Sequence, residues 1–156
     1  MCGIVGYLGT QPAVPILIEG LKKLEYRGYD SAGIAVLNGG NLTVTKSAGK
    51  INLLERLLQE EGCPDSHIGI GHTRWATHGR PSDINSHPHT DCTGEFAVVH
   101  NGIIENYQSL KEWLQQEGHT FVSETDTEVL PHLVEHFYRG DLETAVLEVI
   151  SRVQGS

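Results

Sequence analysis

The residue best suited to do chemistry is Cys2, which directly follows the initiator methionine. Removal of Met1 would leave one residue carrying both a thiol and a free α-amine. Their unperturbed pKa values lie near about 8.5 and about 7.7–8.0, close enough for the amine to take the thiol proton near neutral pH. Cys2 is therefore a candidate nucleophile that needs no separate histidine. The plainer alternative is a small buried cysteine without a chemical role.

Three further positions carry groups suited to cleaving an amide. Asn101-Gly102 follows a predicted strand and opens a predicted helix, where the Asn101 amide and the Gly102 N–H would donate to a developing oxyanion. Arg74 would bind a carboxylate through two parallel hydrogen bonds, and Asp126 would accept from an ammonium group. Each also has an ordinary structural interpretation, as a helix-entry turn, a surface ion pair or a helix cap.

Metal and nucleotide sites are disfavoured, although the chain has nine histidines. His132 and His136 have helical spacing but no glutamate follows His132, and no cysteine pair has zinc-finger spacing. Gly69–Gly71 lacks the remaining glycine and the lysine of a phosphate-binding loop. We therefore expect neither a metal nor another cofactor, and we interpret Cys63 and Cys92 as structural.

Alternating strands and amphipathic helices must position these groups. Asn38–Asn41 predicts a hairpin turn and hence an antiparallel pair, so the predicted fold class is α+β. The non-periodic stretch 75–94 is typical of a functional loop, and Pro131 predicts a kink or a late start in its helix. The predicted strands are Gly3–Leu8, Ala32–Leu37, Leu42–Lys46, Ile68–Thr73 and Phe96–His100, and the predicted helices are Val14–Leu24, Ile51–Leu58, Ile103–Leu114, Val129–Phe137 and Leu142–Val153.

Composition excludes several classes of protein. Of the 156 residues, 38% are hydrophobic and 20% charged, which fits one globular domain. The formal net charge of −9 argues against nucleic-acid binding, and no apolar run is long enough to cross a membrane. Three cysteines without a CxxC motif, together with a start that has no basic n-region, predict a reduced cytoplasmic protein.

Four segments, in this order, resemble the class II glutamine amidotransferases, which use an amino-terminal cysteine and belong to the N-terminal nucleophile (Ntn) hydrolases. They are Met1–Gly6, His72–Gly79, His100–Ile103 and Ser123–Glu128. Leu24–Gly33, with Trp75 and His78 in the second segment, narrows the resemblance to the isomerising branch, which uses fructose 6-phosphate to make glucosamine 6-phosphate.

The resemblance implies roles for the reacting groups. Cys2 would attack the side-chain amide of L-glutamine while its own α-amine relays the proton. Asn101 and Gly102 would stabilise the oxyanion, and Arg27 would support the region around Cys2. Ammonia would leave first, and water would then hydrolyse the glutamyl thioester.

Substrate-binding roles follow from the same resemblance. Arg74 and Thr77 would position the carboxylate end of glutamine, and Asp126 would bind its ammonium group. Trp75 and His78 would lie on a loop that closes over the substrate, with His78 binding it and Trp75 gating the release of ammonia. Such a loop would keep water from the nascent ammonia until deacylation.

The resemblance also implies a fold and a larger enzyme. We expect the four-layer αββα sandwich of the Ntn hydrolases, incomplete at the carboxyl end. Residues 1–156 would be the N-terminal part of a glutaminase domain, without the isomerase half that binds fructose 6-phosphate, and the full-length enzyme would be a homo-oligomer. A class II amidotransferase with another acceptor, and a glutamine-binding module without catalysis, remain alternatives.

Overall fold

Four antiparallel strands form the main sheet, in a computed structural model that describes all residues from 1 to 156. The strands, β1 (Gly3–Leu8), β2 (Ser31–Asn38), β3 (Asn41–Ala48) and β4 (Ile68–Arg74), lie in the order β1-β4-β2-β3. The predicted hairpin joins β2 to β3 through two glycines, Gly39 and Gly40, with φ of 56° and 85°. Positive φ at both central positions gives the turn that matches strand twist.

Two helices, α1 (Ala13–Lys23) and α2 (Ile51–Glu61), cover one face of this sheet. Side chains alternate along β2, so that Ala32, Ile34 and Val36 face these helices within the first core cluster. Glycines of β4 permit the close approach of α1, because a Cβ on Gly69 would lie 2.8 Å from the Leu17 side chain. The sequence Gly69–Gly71 therefore serves packing. The full cluster comprises Ala13, Val14, Leu17, Ile18, Leu21, Ala32, Ile34, Val36, Ile51, Leu54 and Leu58.

A second, smaller sheet lies over the opposite face. Its strands are β5 (His89–Thr90) and β6 (Ala97–Val98), which pair antiparallel. The loop before β5 approaches β2 so closely that a Cβ on Gly33 would lie 2.2 Å from the carbonyl oxygen of His87. Only glycine permits that contact between backbone segments.

Three helices pack beyond the small sheet and complete four layers, helix–sheet–sheet–helix. They are α3 (Tyr107–Gln116), α4 (Val129–Phe137) and α5 (Leu142–Arg152). No helix has the length and apolar character needed to cross a bilayer. The second core cluster comprises Ile104, Leu114, Val129, Leu133, Val134, Ala145 and Val149.

The carboxyl-terminal half departs from the predicted elements in three places. The strand predicted over 96–100 shortens to Ala97–Val98, α3 begins at Tyr107 rather than Ile103, and β5 forms within the stretch 75–94 that was predicted as a loop. The late start predicted from Pro131 is confirmed, since this proline lies in the first turn of α4, where its missing N–H has no intrahelical partner to lose. The spacing of Thr125 and Glu128 fits a capping box, but none forms, because the Glu128 carboxylate accepts from the N–H groups of Val122 and Ser123.

Candidate active site

A cavity of about 270 Å³ gathers most of the predicted site residues where the four-stranded sheet meets the second half of the chain. It lies beside the first residues of β1, the end of β4 and the segments that precede α3 and α4. Seven predicted residues line it, and Asn101 and Arg27 do not. The seven are Cys2, Arg74, Trp75, Thr77, His78, Gly102 and Asp126.

Cys2 is half-buried at the start of β1, which pairs Gly3 with Thr73 and so fixes the amino terminus beside β4. Its Sγ accepts a hydrogen bond from the Trp75 N–H at 3.2 Å. The terminal amine of Met1 donates to the carbonyl oxygens of Arg27 and Gly28 at 2.9 and 3.0 Å. Arg27 therefore contributes its backbone carbonyl to the terminus, and its side chain contacts only the Met1 sulfur.

Arg74 ends β4 as a buried cation, only 3% exposed. Its Nη2 donates to the carbonyl oxygens of His78 and Gly79, the latter at 2.9 Å, and so fixes the turn of the following loop. Its Nη1 is buried and has no hydrogen-bond partner. A buried guanidinium nitrogen without a partner is costly, and a ligand carboxylate would satisfy it.

Asp126 lies opposite Arg74 in the same cavity and is 3% exposed. Its Oδ2 accepts from the Ile104 N–H at 2.7 Å, which joins the segment before α4 to the segment before α3. Its Oδ1 faces His78 Nδ1 at 3.9 Å. The cavity thus carries an unpaired cationic nitrogen and a carboxylate, the two partners that the charged groups of an amino acid require.

The orientation of Asn101 depends on a histidine that the sequence analysis did not single out. His72 Nε2 lies 2.7 Å from Asn101 Oδ1. Burial lowers the pKa of His72 to about 4, so the ring is neutral at pH 7 and uses its Nε2–H to donate. Fixing Oδ1 leaves the Asn101 amide N–H₂ as the free end, the group that an oxyanion needs.

Gly102 adopts φ 138°, and a Cβ there would lie 1.8 Å from the Ser156 carbonyl oxygen. The backbone at this point therefore requires glycine, independently of any catalytic role. The same Ser156 oxygen accepts from the Ile103 N–H at 3.0 Å. Ser156 thus lies against the predicted oxyanion segment.

The loop that carries Trp75, Thr77 and His78 is anchored at its base. The Ala76 N–H donates to the Asp30 carboxylate, and the Asp30 N–H donates to the Arg74 carbonyl at 2.7 Å. Trp75 is 54% exposed and lies over Gly28. A Cβ on Gly28 would lie 3.2 Å from the indole ring, so glycine leaves room for the indole. The Leu24–Gly33 segment therefore supports this loop.

Buried polar residues that the sequence analysis did not identify connect the loop 75–94 to the segment 123–128. The Asn85 side chain accepts from the Glu124 N–H and donates to the Glu124 carboxylate, both at 2.9 Å. His89 Nε2 lies 2.9 Å from Thr125 Oγ1, and burial lowers the pKa of His89 to about 3. Lys46 Nζ donates to three carbonyl oxygens within 84–88. Periodicity carries no signal for such single polar contacts.

Comparisons with known proteins identify a family and a fold. A family model described as a glutamine amidotransferase domain matches residues 59–145. Proteins named glutamine–fructose-6-phosphate aminotransferase (isomerizing) are 61% identical in Clostridium tetani and 58% identical in Caldanaerobacter subterraneus, in both cases over the whole chain. The chain spans about a quarter of the length of these relatives, 26% in each.

Two solved structures have a fold similar to that of this chain. The glutamine phosphoribosylpyrophosphate amidotransferase of B. subtilis superposes with a TM-score of 0.80 and 30% identity, over 99% of this chain and 33% of that one. A structure described as the allosteric regulatory enzyme of purine biosynthesis gives a TM-score of 0.84 at 30% identity, over 100% of this chain and 34% of that one. The predicted α+β fold of the Ntn-hydrolase type is confirmed.

Proposed function

The chain belongs to the glutamine amidotransferase domain family, and from that premise we propose that it hydrolyses L-glutamine to glutamate and ammonia. The observation that carries the proposal is the cavity itself. Cys2, Arg74 and Asp126 line one space, and the buried Nη1 of Arg74 has no hydrogen-bond partner. These groups match the reactive amide, the α-carboxylate and the α-ammonium of a single glutamine molecule.

In this proposal, Arg74 and Thr77 bind the α-carboxylate of glutamine, and Asp126 binds its α-ammonium group. Asp126 is already fixed by the Ile104 N–H, so it needs little ordering when the ligand enters. His78, whose Nδ1 is buried without a hydrogen-bond partner, adds a polar contact at the rim. Trp75 is exposed on the same loop and would cover the bound glutamine and gate the release of ammonia.

Catalysis begins with the Cys2 thiol transferring its proton to the free α-amine that removal of Met1 exposes. The thiolate then forms a bond to the amide carbon, and the oxyanion is stabilised by the Asn101 amide and the Gly102 N–H. Collapse of the tetrahedral intermediate breaks the C–N bond, and the α-ammonium returns its proton to the departing ammonia. Water then attacks the thioester, which releases glutamate and restores the thiol.

The same proposal extends to a longer enzyme. The relatives that match the whole chain are named for transfer to fructose 6-phosphate, so we assign residues 1–156 to the N-terminal part of a glutaminase domain. Its ammonia would serve the synthesis of glucosamine 6-phosphate in the cytoplasm, within a homo-oligomer. Identity of 61% to this group, against 30% to the phosphoribosyl enzyme, favours the sugar acceptor.

The test is intact mass spectrometry with a diazoketone analogue of glutamine. We expect one adduct on the chain lacking Met1, mapped to Cys2 and prevented by excess glutamine. Cys63→Ser, which changes another free cysteine, should label fully, whereas Cys2→Ala should not label. A folded chain that has lost Met1 and forms no adduct would contradict the proposal. Glutamine binding without labelling would favour the non-catalytic module.

A further inference from the structure

Four side chains converge at a second point, outside the cavity that contains Cys2. Cys92 lies in the loop between β5 and β6, and His119 follows α3. His132 and Glu135 occupy positions three apart on α4 and so share one face of that helix. The Cys92 Sγ, the Nδ1 atoms of both histidines and a Glu135 carboxylate oxygen all lie within 4.8 Å of one another.

Five of the six distances between these four atoms are close to the edges of a tetrahedron around one small cation, and the sixth, from the Cys92 Sγ to the Glu135 carboxylate, is within 4.8 Å. Zinc bonds of about 2.0–2.1 Å to nitrogen and about 2.3 Å to sulfur give edges of roughly 3.3 Å for N···N and roughly 3.6 Å for S···N. The two histidine nitrogens are 3.3 Å apart, and the Cys92 Sγ lies 3.7 and 3.4 Å from those of His119 and His132. Glu135 Oε2 lies 3.2 and 3.6 Å from the same two nitrogens.

Hydrogen bonding among the four groups does not account for this convergence. The His119 Nδ1 has three close partners in the cluster, yet a neutral imidazole nitrogen carries at most one hydrogen. The same limit applies to His132 Nδ1. A single cation at the centre accepts a lone pair from every member and satisfies all four.

The groups around the cluster are those that orient metal ligands. The other nitrogen of His132, Nε2, faces the Glu128 carboxylate at 3.6 Å, and this histidine is only 1% exposed. This nitrogen has no hydrogen-bond partner, so the nearby carboxylate is in the position from which a ligating imidazole is usually oriented. The Thr120 N–H points at the Cys92 Sγ at 3.4 Å, and the Cys92 N–H donates to Glu135 Oε2 at 3.1 Å.

We propose that Cys92, His119, His132 and Glu135 bind one Zn²⁺ ion in a structural site. Thiolate and imidazole ligands select zinc over magnesium or calcium, and four protein ligands leave no open position for catalysis. Binding requires the thiolate, so the Cys92 thiol releases its proton to solvent as the Zn–S bond forms. The site replaces our sequence-based expectation of no metal.

The proposed zinc site would tie the loop between the small strands to α4 and to the segment after α3. Glu128, which faces His132, also accepts from the N–H groups of Val122 and Ser123. That segment continues directly into Asp126 of the glutamine cavity. The metal would therefore stabilise one wall of the cavity without contacting the substrate.

Cobalt(II) titration of the metal-free protein tests the proposal, because tetrahedral Co²⁺ absorbs strongly in the visible and a bound thiolate adds a charge-transfer band in the near ultraviolet. We expect saturation at one equivalent, both features, and displacement of the cobalt by one equivalent of zinc. Folded protein that shows no stoichiometric binding would overturn the proposal. An octahedral spectrum, weak in the visible, would also overturn it.

Cysteine variants identify the ligating sulfur. Cys92→Ser should abolish the charge-transfer band and weaken zinc binding by more than about 100-fold, beyond the range typical of changes to groups that only orient ligands. Cys63→Ser is the matched control, since it removes another exposed free cysteine, and Cys2→Ala excludes the amino terminus. Both controls should keep the band. A band that persists in Cys92→Ser would contradict the assignment.

Thermal unfolding provides a readout independent of cobalt. Zinc should raise the Tm of the unmodified protein and of Cys63→Ser, because a ligand that binds only the folded state stabilises it. It should leave the Tm of Cys92→Ser unchanged. An equal rise in all three proteins would place zinc elsewhere and overturn the proposal.

Discussion

The glutamine cavity and the Cys92 cluster both gather polar groups from distant segments, but they satisfy those groups differently. In the cavity, Arg74 Nη1 and His78 Nδ1 have no hydrogen-bond partner, and both residues line an open space together with Asp126. In the cluster, the four polar atoms lie against one another. Unpaired groups around a space indicate a substrate site, whereas convergent groups without a space indicate a structural ion.

The two regions also differ in how the chain supplies them. The predicted residues that line the cavity lie on short contiguous segments, each positioned by the end of a strand or the start of a helix. The cluster joins Cys92 to Glu135, 43 residues away, and only His132 and Glu135 are neighbours on one element. Variants that affect only one region separate the two roles.

The largest expected effect is the loss of glutaminase activity in Cys2→Ala, by at least about 10⁴-fold in kcat, because the nucleophile is removed. Glutamate release from glutamine measures it. Glutamine binding by calorimetry and cobalt binding at the cluster should both persist, which would confine the defect to the chemical step. Substantial residual turnover would refute the role of Cys2.

Acidification should destabilise the folded protein through His72, the residue that orients Asn101. Its folded pKa is about 4 against an ordinary 6.5, so below pH 6.5 the unfolded chain takes up a proton that the folded protein does not. The contribution of His72 to the free energy of unfolding should fall by on the order of 3 kcal/mol between pH 6.5 and 4 and be constant below pH 4, while His89 adds a separate fall because its folded pKa is about 3. Denaturant titrations of the metal-free protein measure the fall, and imidazole NMR assigns it. Titration of His72 near pH 6.5 would contradict the prediction.

A smaller effect is expected for Asp126→Asn, which keeps an acceptor for the Ile104 N–H but removes the negative charge. Weaker binding of the substrate ammonium should raise KM by about 10–100-fold, as expected for the loss of a charge-assisted hydrogen bond. Steady-state kinetics measure it, and the cobalt spectrum of the Cys92 cluster should not change. An unaltered KM would mean that Asp126 does not bind the ammonium group.

The smallest effect is expected for Ile34→Val, in the core that belongs to neither region. Ile34 is 1% exposed between β2 and the covering helices, and the lost methylene should cost about 1 kcal/mol of unfolding free energy. Denaturant titration measures it. KM and cobalt affinity should remain as in the unmodified protein, so a change in either would show that global stability, rather than local contacts, controls the two regions.

Much of the fold follows from local patterns. The alternation along β2, the Asn38–Asn41 turn and the apolar stripe of α1 each predict an element that the structure contains. In the second half, α4 and α5 begin where the sequence predicts, whereas the strand predicted over 96–100 and the start of α3 are less accurate. Single polar contacts fix the loops there, as when Glu128 accepts from the N–H groups of Val122 and Ser123.

The sequence by itself determined the elements of the main sheet and predicted the residues proposed as nucleophile, cation and carboxylate. Only the tertiary structure decided that Cys2, Arg74 and Asp126 surround one cavity and that His72 orients Asn101. The tertiary structure alone also brings Cys92 and Glu135 together. The physical reason is range: turns and periodicity act over a few residues, whereas these contacts form only when distant segments are packed against each other.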